Sequence, residues 1–80
     1  MKKDKLLQNA IRNPQNLRFD GFQSLLKGFR FRLDRVSGSH HIYKNDHLQQ
    51  AINIQPTKEG KAKKYQVRDF IRILEGKNVI

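Results

Sequence analysis

The segment from Phe29 to Val36 constrains the fold more than any other stretch of the chain. Phe29, Phe31 and Leu33 fall on one side of an extended backbone, and Arg30, Arg32 and Asp34 fall on the other. Such alternation marks a strand with one buried and one wetted face. Ser37-Gly38-Ser39 follows as a turn signal, and His40 to Lys44 reads as a second strand, so the two form a hairpin. Asn45 to Gln50 is polar and reads as a loop. Ala51 to Gln55, with Ile52 and Ile54 on one face, is a third strand that Pro56 ends.

Helical periodicity surrounds these strands. Leu6, Leu7, Ala10 and Ile11 give residues 3–12 a helical stripe, and Asn13-Pro14 closes it because the residue before proline avoids the helical region. A docked helix and a frayed extension are both open for this segment. Asp20 reads as the N-cap of a second helix carrying Phe22, Leu25 and Leu26 on one face. Phe19 would pack back as a hydrophobic staple, and Gly28 would stop the helix as a C′ glycine. Residues 57–64 form a basic loop. The strongest stripe, Val67, Phe70, Ile71 and Leu74, predicts a last helix over Tyr65 to Glu75, ended by Gly76. No internal repeat or low-complexity segment interrupts the chain. The order α-α-β-β-β-α predicts an α+β fold: a three-stranded antiparallel sheet with helices packed on one face and a polar opposite face.

Eighty residues are enough for one domain. No run approaches the roughly 18 apolar residues of a spanning helix, so no membrane role is expected. The opening residues Met1 to Leu7 begin like a signal peptide, but the apolar stretch ends at Gln8-Asn9 without a cleavage site, and the segment reads as mature sequence. With no cysteine, a disulfide scaffold and a thiolate zinc site are excluded, and a cytoplasmic location is expected. Lys and Arg outnumber Asp and Glu by 17 to 7, a formal charge of +10. Such an excess favours a polyanion: nucleic acid first, then anionic membrane, then an acidic protein. The cations are spread through both halves and interleaved with apolar residues, so the basic face belongs to the folded unit and not to a tail.

The residue types suited to chemistry are the histidines His40, His41 and His47. On a strand His40 and His41 point to opposite faces, which disfavours one shared metal ion; no metal site and no cofactor are expected. Sheet histidines without chemistry are the plain alternative. Against it stand the small-residue turn, the strand start and the nearby cations Arg30, Arg32, Arg35 and Lys44. Histidine suits proton transfer near neutral pH, and cations beside it would stabilise charge developing on a phosphoryl group. Gly38 would let a phosphate approach the backbone, and Ser39 could donate to it, although a simple hairpin turn would use the same residues.

Gly38-Ser39-His40-His41-Ile42-Tyr43 resembles the signature of the HicA toxins of bacterial toxin–antitoxin systems. The likeness extends to Arg18-Phe19-Asp20, Leu25-Leu26, Gly28-Phe29, Val36-Ser37, Gly60-Lys61-Ala62-Lys63 and Tyr65-Gln66-Val67-Arg68, covering roughly residues 18–75. Many members carry His-Pro shortly after the second strand, whereas this chain has Asn45-Asp46-His47, and its first 17 residues exceed the minimal family length. The resemblance implies a double-stranded-RNA-binding-domain-like fold and a ribosome-independent mRNA interferase. It implies His40 as the catalytic residue and a HicB-type antitoxin as the partner that masks the site. It divides the 1–80 chain into an N-terminal helical extension (1–17), a core (18–75) and a tail (76–80).

In the expected reaction the ribose 2′-hydroxyl is the nucleophile, which selects RNA over DNA. His40 is the general acid or base, and no metal takes part. Gly38, Ser39, His41, Arg32, Arg35, Lys44, Lys61, Lys63 and Lys64 are the expected RNA contacts. The lysines of the 57–64 loop would attract phosphate, or equally form a solvated flexible run. The rival reading is a non-catalytic RNA-binding module of the same fold.

Overall fold

In the computed structural model, which describes residues 2–80, three helices and three strands follow one another as α1 (Lys2–Arg12), α2 (Phe19–Gly28), β1 (Arg32–Ser37), β2 (His40–Asn45), β3 (Gln50–Ile54) and α3 (Lys64–Gly76). Met1, the first residue of the expected 1–17 extension, lies outside the described residues. A single 3₁₀ turn, Pro14–Asn16, joins α1 to α2. The strands form one antiparallel sheet in the order β1-β2-β3. This is the α+β order expected from the periodicities.

The helices cover one face of the sheet. Tyr43, Ile52 and Ile54 from the strands are buried with Phe22, Leu25 and Leu26 of α2 and Val67, Phe70 and Leu74 of α3. Phe70 is the hub: the rings of Phe22, Phe29 and Phe31 meet it edge-on with centroids 5.8, 6.0 and 5.5 Å away. T-shaped pairs set the ring edge against the electron-rich face and add about 0.5–1.5 kcal/mol each to area burial. Tyr43, fully buried, donates its hydroxyl proton to Gln23 Oε1 at 2.7 Å, and burial pushes its phenol above the ordinary range.

α1 docks rather than frays. Ala10 is buried, Leu6 and Leu7 pack against the core, and the Lys3 ammonium lies 4.9 Å from the Phe29 ring centroid. Two glycines two turns apart on α2 open the contact. A Cβ on Gly21 would lie 3.3 Å from Leu17 and 3.5 Å from Leu6, and one on Gly28 would lie 3.0 Å from the Lys3 stem.

Three local expectations are corrected. α2 begins at Phe19 with Arg18 at the N-cap and no side-chain cap, so Asp20 lies in the first turn, and Phe19 is buried as the first helical residue and not as a staple ahead of it. Gly28 is helical, and Arg30, at φ 68°, takes the left-handed position instead. Phe31 N–H donates to Leu26 O at 3.0 Å and Arg30 N–H to Lys27 O at 3.0 Å, the paired bonds of a Schellman ending. α3 ends in the same way, with Asn78 at φ 58° and Val79 N–H donating to Leu74 O at 2.8 Å. Phe29 to Phe31 therefore belong to the helix ending, and β1 starts at Arg32. The third correction is a bulge between Leu33 and Arg35. It places Arg35 opposite Ile42 and Val36 opposite His41, so the strict alternation is broken at Asp34.

Candidate active site

The hairpin that carries the Gly-Ser-His-His run is closed by two residues, Gly38 and Ser39, between the paired Ser37 and His40. Gly38 has φ 59°, and no atom lies within 4 Å of where a Cβ would sit. A first central residue at positive φ followed by one that is not matches the type II′ turn, whose twist suits the flanking strands. The backbone angle alone calls for glycine here, and the surrounding space leaves the turn open to a ligand.

β2 then divides the two histidines. His41 pairs with Ile54 on the helix side and meets Phe19 edge-on, centroids 4.9 Å apart. Its Nδ1–H donates to Ser39 O at 3.0 Å. His40 lies on the other face. Its Nδ1 is 3.2 Å from Asn53 Oδ1 and its Nε2 is 3.1 Å from Gln55 Nε2. Gln55 Oε1 in turn accepts from Lys63 Nζ at 3.2 Å. His40, Asn53, Gln55, Tyr65 and Asp69 line one open groove of about 500 Å³ where β3 meets α3. Tyr65 is 58% exposed there, a large aromatic ring open to solvent. A slightly larger concavity between α1 and α2, about 580 Å³, is lined by Asn9, Asn13, Arg18 and Asp20 and holds no histidine.

The cations divide into two groups. Lys63 is the N-cap of α3 and Lys64 its first residue, and no acid stands in that first turn. Their charges add to the positive end of the helix dipole close to Gln55 and His40. Arg32, Lys44 and Arg35 share the outer sheet face with His40 but lie along the strands away from it. Lys44 is four residues on, about 13 Å at the rise of a strand. These cations are also engaged: Arg32 with Asp46 at 2.7 Å, Lys44 with Asp34 at 3.5 Å and Arg35 with Asp34 at 3.9 Å. The Arg32 guanidinium, through its hydrogen bond and its charge, holds the Asp46 carboxyl below the usual carboxylate range. The bulge brings Arg35 to this face, opposite Ile42, which is itself two residues from His40 along β2.

The 57–64 loop is a pinned turn. Thr57 N–H donates to Lys61 O at 2.7 Å, Ala62 N–H to Leu17 O at 2.8 Å and Phe19 N–H to Gly60 O at 3.0 Å. Lys61 forms a bridge with Arg18, and buried Ala62 anchors the far side. Lys61 therefore sits by the start of α2, apart from the groove, while Lys63 borders it. His47 lies in the β2–β3 turn, beside a separate hollow with Lys3 and Phe29. No cluster of three His, Asp or Glu side chains gathers among the described residues.

Sequence reasoning missed Asn53, Gln55 and Tyr65. Carboxamides carry no charge pattern; the parity of β3 gives only the face of two of the three, since Asn53 and Gln55 alternate with core-facing Ile52 and Ile54, and not their place beside His40.

No helix among the described residues is long and apolar enough to cross a membrane. No significant match is found among curated proteins or among solved structures. Residues 20–75 match the protein family described as "HicA toxin of bacterial toxin-antitoxin". That span runs from the first turn of α2 to the last turn of α3 and contains the hairpin, His40 and the groove, leaving α1 outside it. The chain belongs to the HicA toxin family of bacterial toxin–antitoxin systems.

Proposed function

We propose that this toxin is a ribosome-independent mRNA interferase whose His40 cleaves RNA without a metal. The observation that carries the reading is the position of His40: exposed, its ring held at both nitrogens, in a groove bordered by Lys63 and Tyr65. Single-stranded RNA lies along this groove, one base stacked on Tyr65. The 2′-oxygen attacks the adjacent phosphorus and its proton passes to His40. The bond from phosphorus to the 5′-oxygen breaks, and the proton returns to that oxygen, leaving a 2′,3′-cyclic phosphate and a 5′-hydroxyl. Lys63 and Lys64 offset charge on the phosphorus, as oriented cations do in a developing transition state. Gly38 and Ser39 meet the backbone at the turn. Arg35, and beyond it Arg32 and Lys44, extend the track over the sheet. Lys61 adds longer-range attraction, and His41 supports the hairpin from the helix side. A HicB-type antitoxin covers the same basic face, and acidic side chains suit it to that role.

The test is degradation of a defined transcript by purified wild type and His40→Ala, with and without a metal chelator. Wild type is expected to cut in chelator, leaving cyclic-phosphate ends, while the variant does not. Equal cleavage by both proteins, or cleavage that needs added metal, overturns the mechanism. RNA retained without cleavage by the wild type would instead identify a binding module.

A further inference from the structure

The hydrogen bonds around His40 can be assigned in one direction only. Lys63 Nζ lies 3.2 Å from Gln55 Oε1, and an ammonium donates but never accepts. The Gln55 oxygen is committed to Lys63, so the group facing His40 is the Gln55 amide nitrogen, 3.1 Å from ring Nε2. That nitrogen also only donates, and Nε2 must accept. A neutral imidazole has one N–H, which is then on Nδ1. Nδ1 faces Asn53 Oδ1 at 3.2 Å, an acceptor. Turning the Asn53 amide over would leave both ring nitrogens as acceptors, which a neutral ring cannot supply. Gln55 is fixed from its main chain as well, since its N–H donates to Oε1 of buried Gln66 at 2.9 Å.

We propose that Lys63 and Gln55 are positioning residues that set the tautomer of His40, holding the ring as the Nδ1–H form with Nε2 as its proton-accepting nitrogen. The proposal rests on the reading of His40 as the acid/base residue. Lys63 thereby has a task besides attracting phosphate: its donor-only character orients Gln55. To use Nε2, the substrate displaces one neutral amide hydrogen bond. A phosphate oxygen is a stronger acceptor for the Lys63 ammonium than an amide oxygen is. A phosphate that draws Lys63 therefore loosens the Gln55 amide from Nε2.

Ring ¹⁵N spectra of the full chain, recorded above the pH range where an ordinary imidazole is charged, read the tautomer directly. Wild type is expected to show a protonated Nδ1 and an unprotonated Nε2 for His40. Gln55→Glu, which keeps an oxygen for Lys63 and turns a second oxygen toward the ring, should move the proton to Nε2. Lys63→Arg retains a donor-only cation and should keep the wild-type pattern, whereas Lys63→Met frees Gln55 to turn over and should mix the two forms. An Nε2–H ring in wild type, or a pattern that Gln55→Glu and Lys63→Met both leave unchanged, overturns the proposal. The spectra are independent of cleavage. A protein with the Nδ1–H ring that leaves RNA intact sinks the nuclease reading alone, and one that cuts RNA with Nε2 protonated sinks the tautomer proposal alone.

Discussion

The two faces of β2 use adjacent, chemically identical residues for different ends. On the helix side, His41 follows Tyr43 and Ile54 into packing: its ring is set against Phe19 and its Nδ1–H is tied to the Ser39 carbonyl. On the outer side, both ring nitrogens of His40 face carboxamides, those of Asn53 and Gln55. The inner face is specified by volume and burial, which tolerate no void. The outer face is specified by donor and acceptor direction, which costs little stability and constrains chemistry. A histidine's role here follows from strand parity and not from the motif that contains it.

The largest effects should separate the two faces cleanly. Tyr43→Ala removes a fully buried ring and its bond to Gln23, a change of roughly 3–5 kcal/mol for a large aromatic. For so small a domain that is most of the folding free energy, and thermal melts should show a largely unfolded chain. The buried phenol gives wild type a matching pH limit. Its pKa is raised in the fold, so its contribution is complete below the unfolded value and is lost as pH climbs through the folded one, on the alkaline side. His40→Ala should do the reverse of Tyr43→Ala: a melt like wild type, and cleavage down by roughly 10²- to 10⁴-fold, the usual share of a general acid–base group. A large stability loss in His40→Ala would erase the distinction.

Tyr65→Ala should come next. The exposed ring lines the groove, and loss of one base-stacking platform costs about 1–3 kcal/mol of single-strand binding, or roughly 5- to 150-fold in affinity. The melt should be unchanged, and cleavage at saturating RNA should fall less than affinity does. Unaltered RNA affinity would remove Tyr65 from the site. His41→Ala is expected to cost about 0.5–1.5 kcal/mol in stability for the lost edge-on contact with Phe19. Guanidinium melts beside transcript cleavage would check this. A cleavage defect as deep as that of His40→Ala, with stability intact, would place both histidines in the chemistry.

The inner face was more legible in the sequence than the outer one. Apolar periodicity reports burial, so Phe22, Leu25, Leu26, Ile52, Ile54, Val67, Phe70 and Leu74 were all readable as core. What escaped was decided by backbone geometry or by uncharged polar groups. The alternation from Phe29 to Asp34 is real in the sequence, but its first three residues are spent on a helix ending that puts Arg30 at positive φ. The bulge at Asp34 lets Arg32 and Arg35, three residues apart, share a face that strict alternation denies them. Glycine is the usual left-handed terminator, yet Gly28 is the last helical residue of α2, two positions before the left-handed Arg30, and stays small where the Lys3 stem needs the room. His40 was legible through the Gly-Ser-His-His run. Its partners were not, because Asn53 and Gln55 become neighbours only when β3 is paired in register with β2.

The smallest effect concerns the outer face alone. Arg32 and Asp46 form an exposed ion pair at 2.7 Å, and the lowered Asp46 carboxyl stays charged through the neutral range. A depressed carboxylate stabilises above its unfolded pKa and loses that contribution as pH falls through the folded value, so any loss is confined to acid. Exposed pairs are screened by solvent, and Asp46→Asn should leave the neutral melt where it is. It should, however, release Arg32 for phosphate. Each phosphate neutralised on a single strand adds about 0.7 to the slope of log affinity against log salt, so binding should tighten at low salt and steepen by up to about that amount. Filter binding of a short RNA across a salt series reads both quantities. An unchanged slope would mean that the nucleic acid leaves the sheet before it reaches Arg32, and that the track over the outer face is shorter than the row of cations suggests.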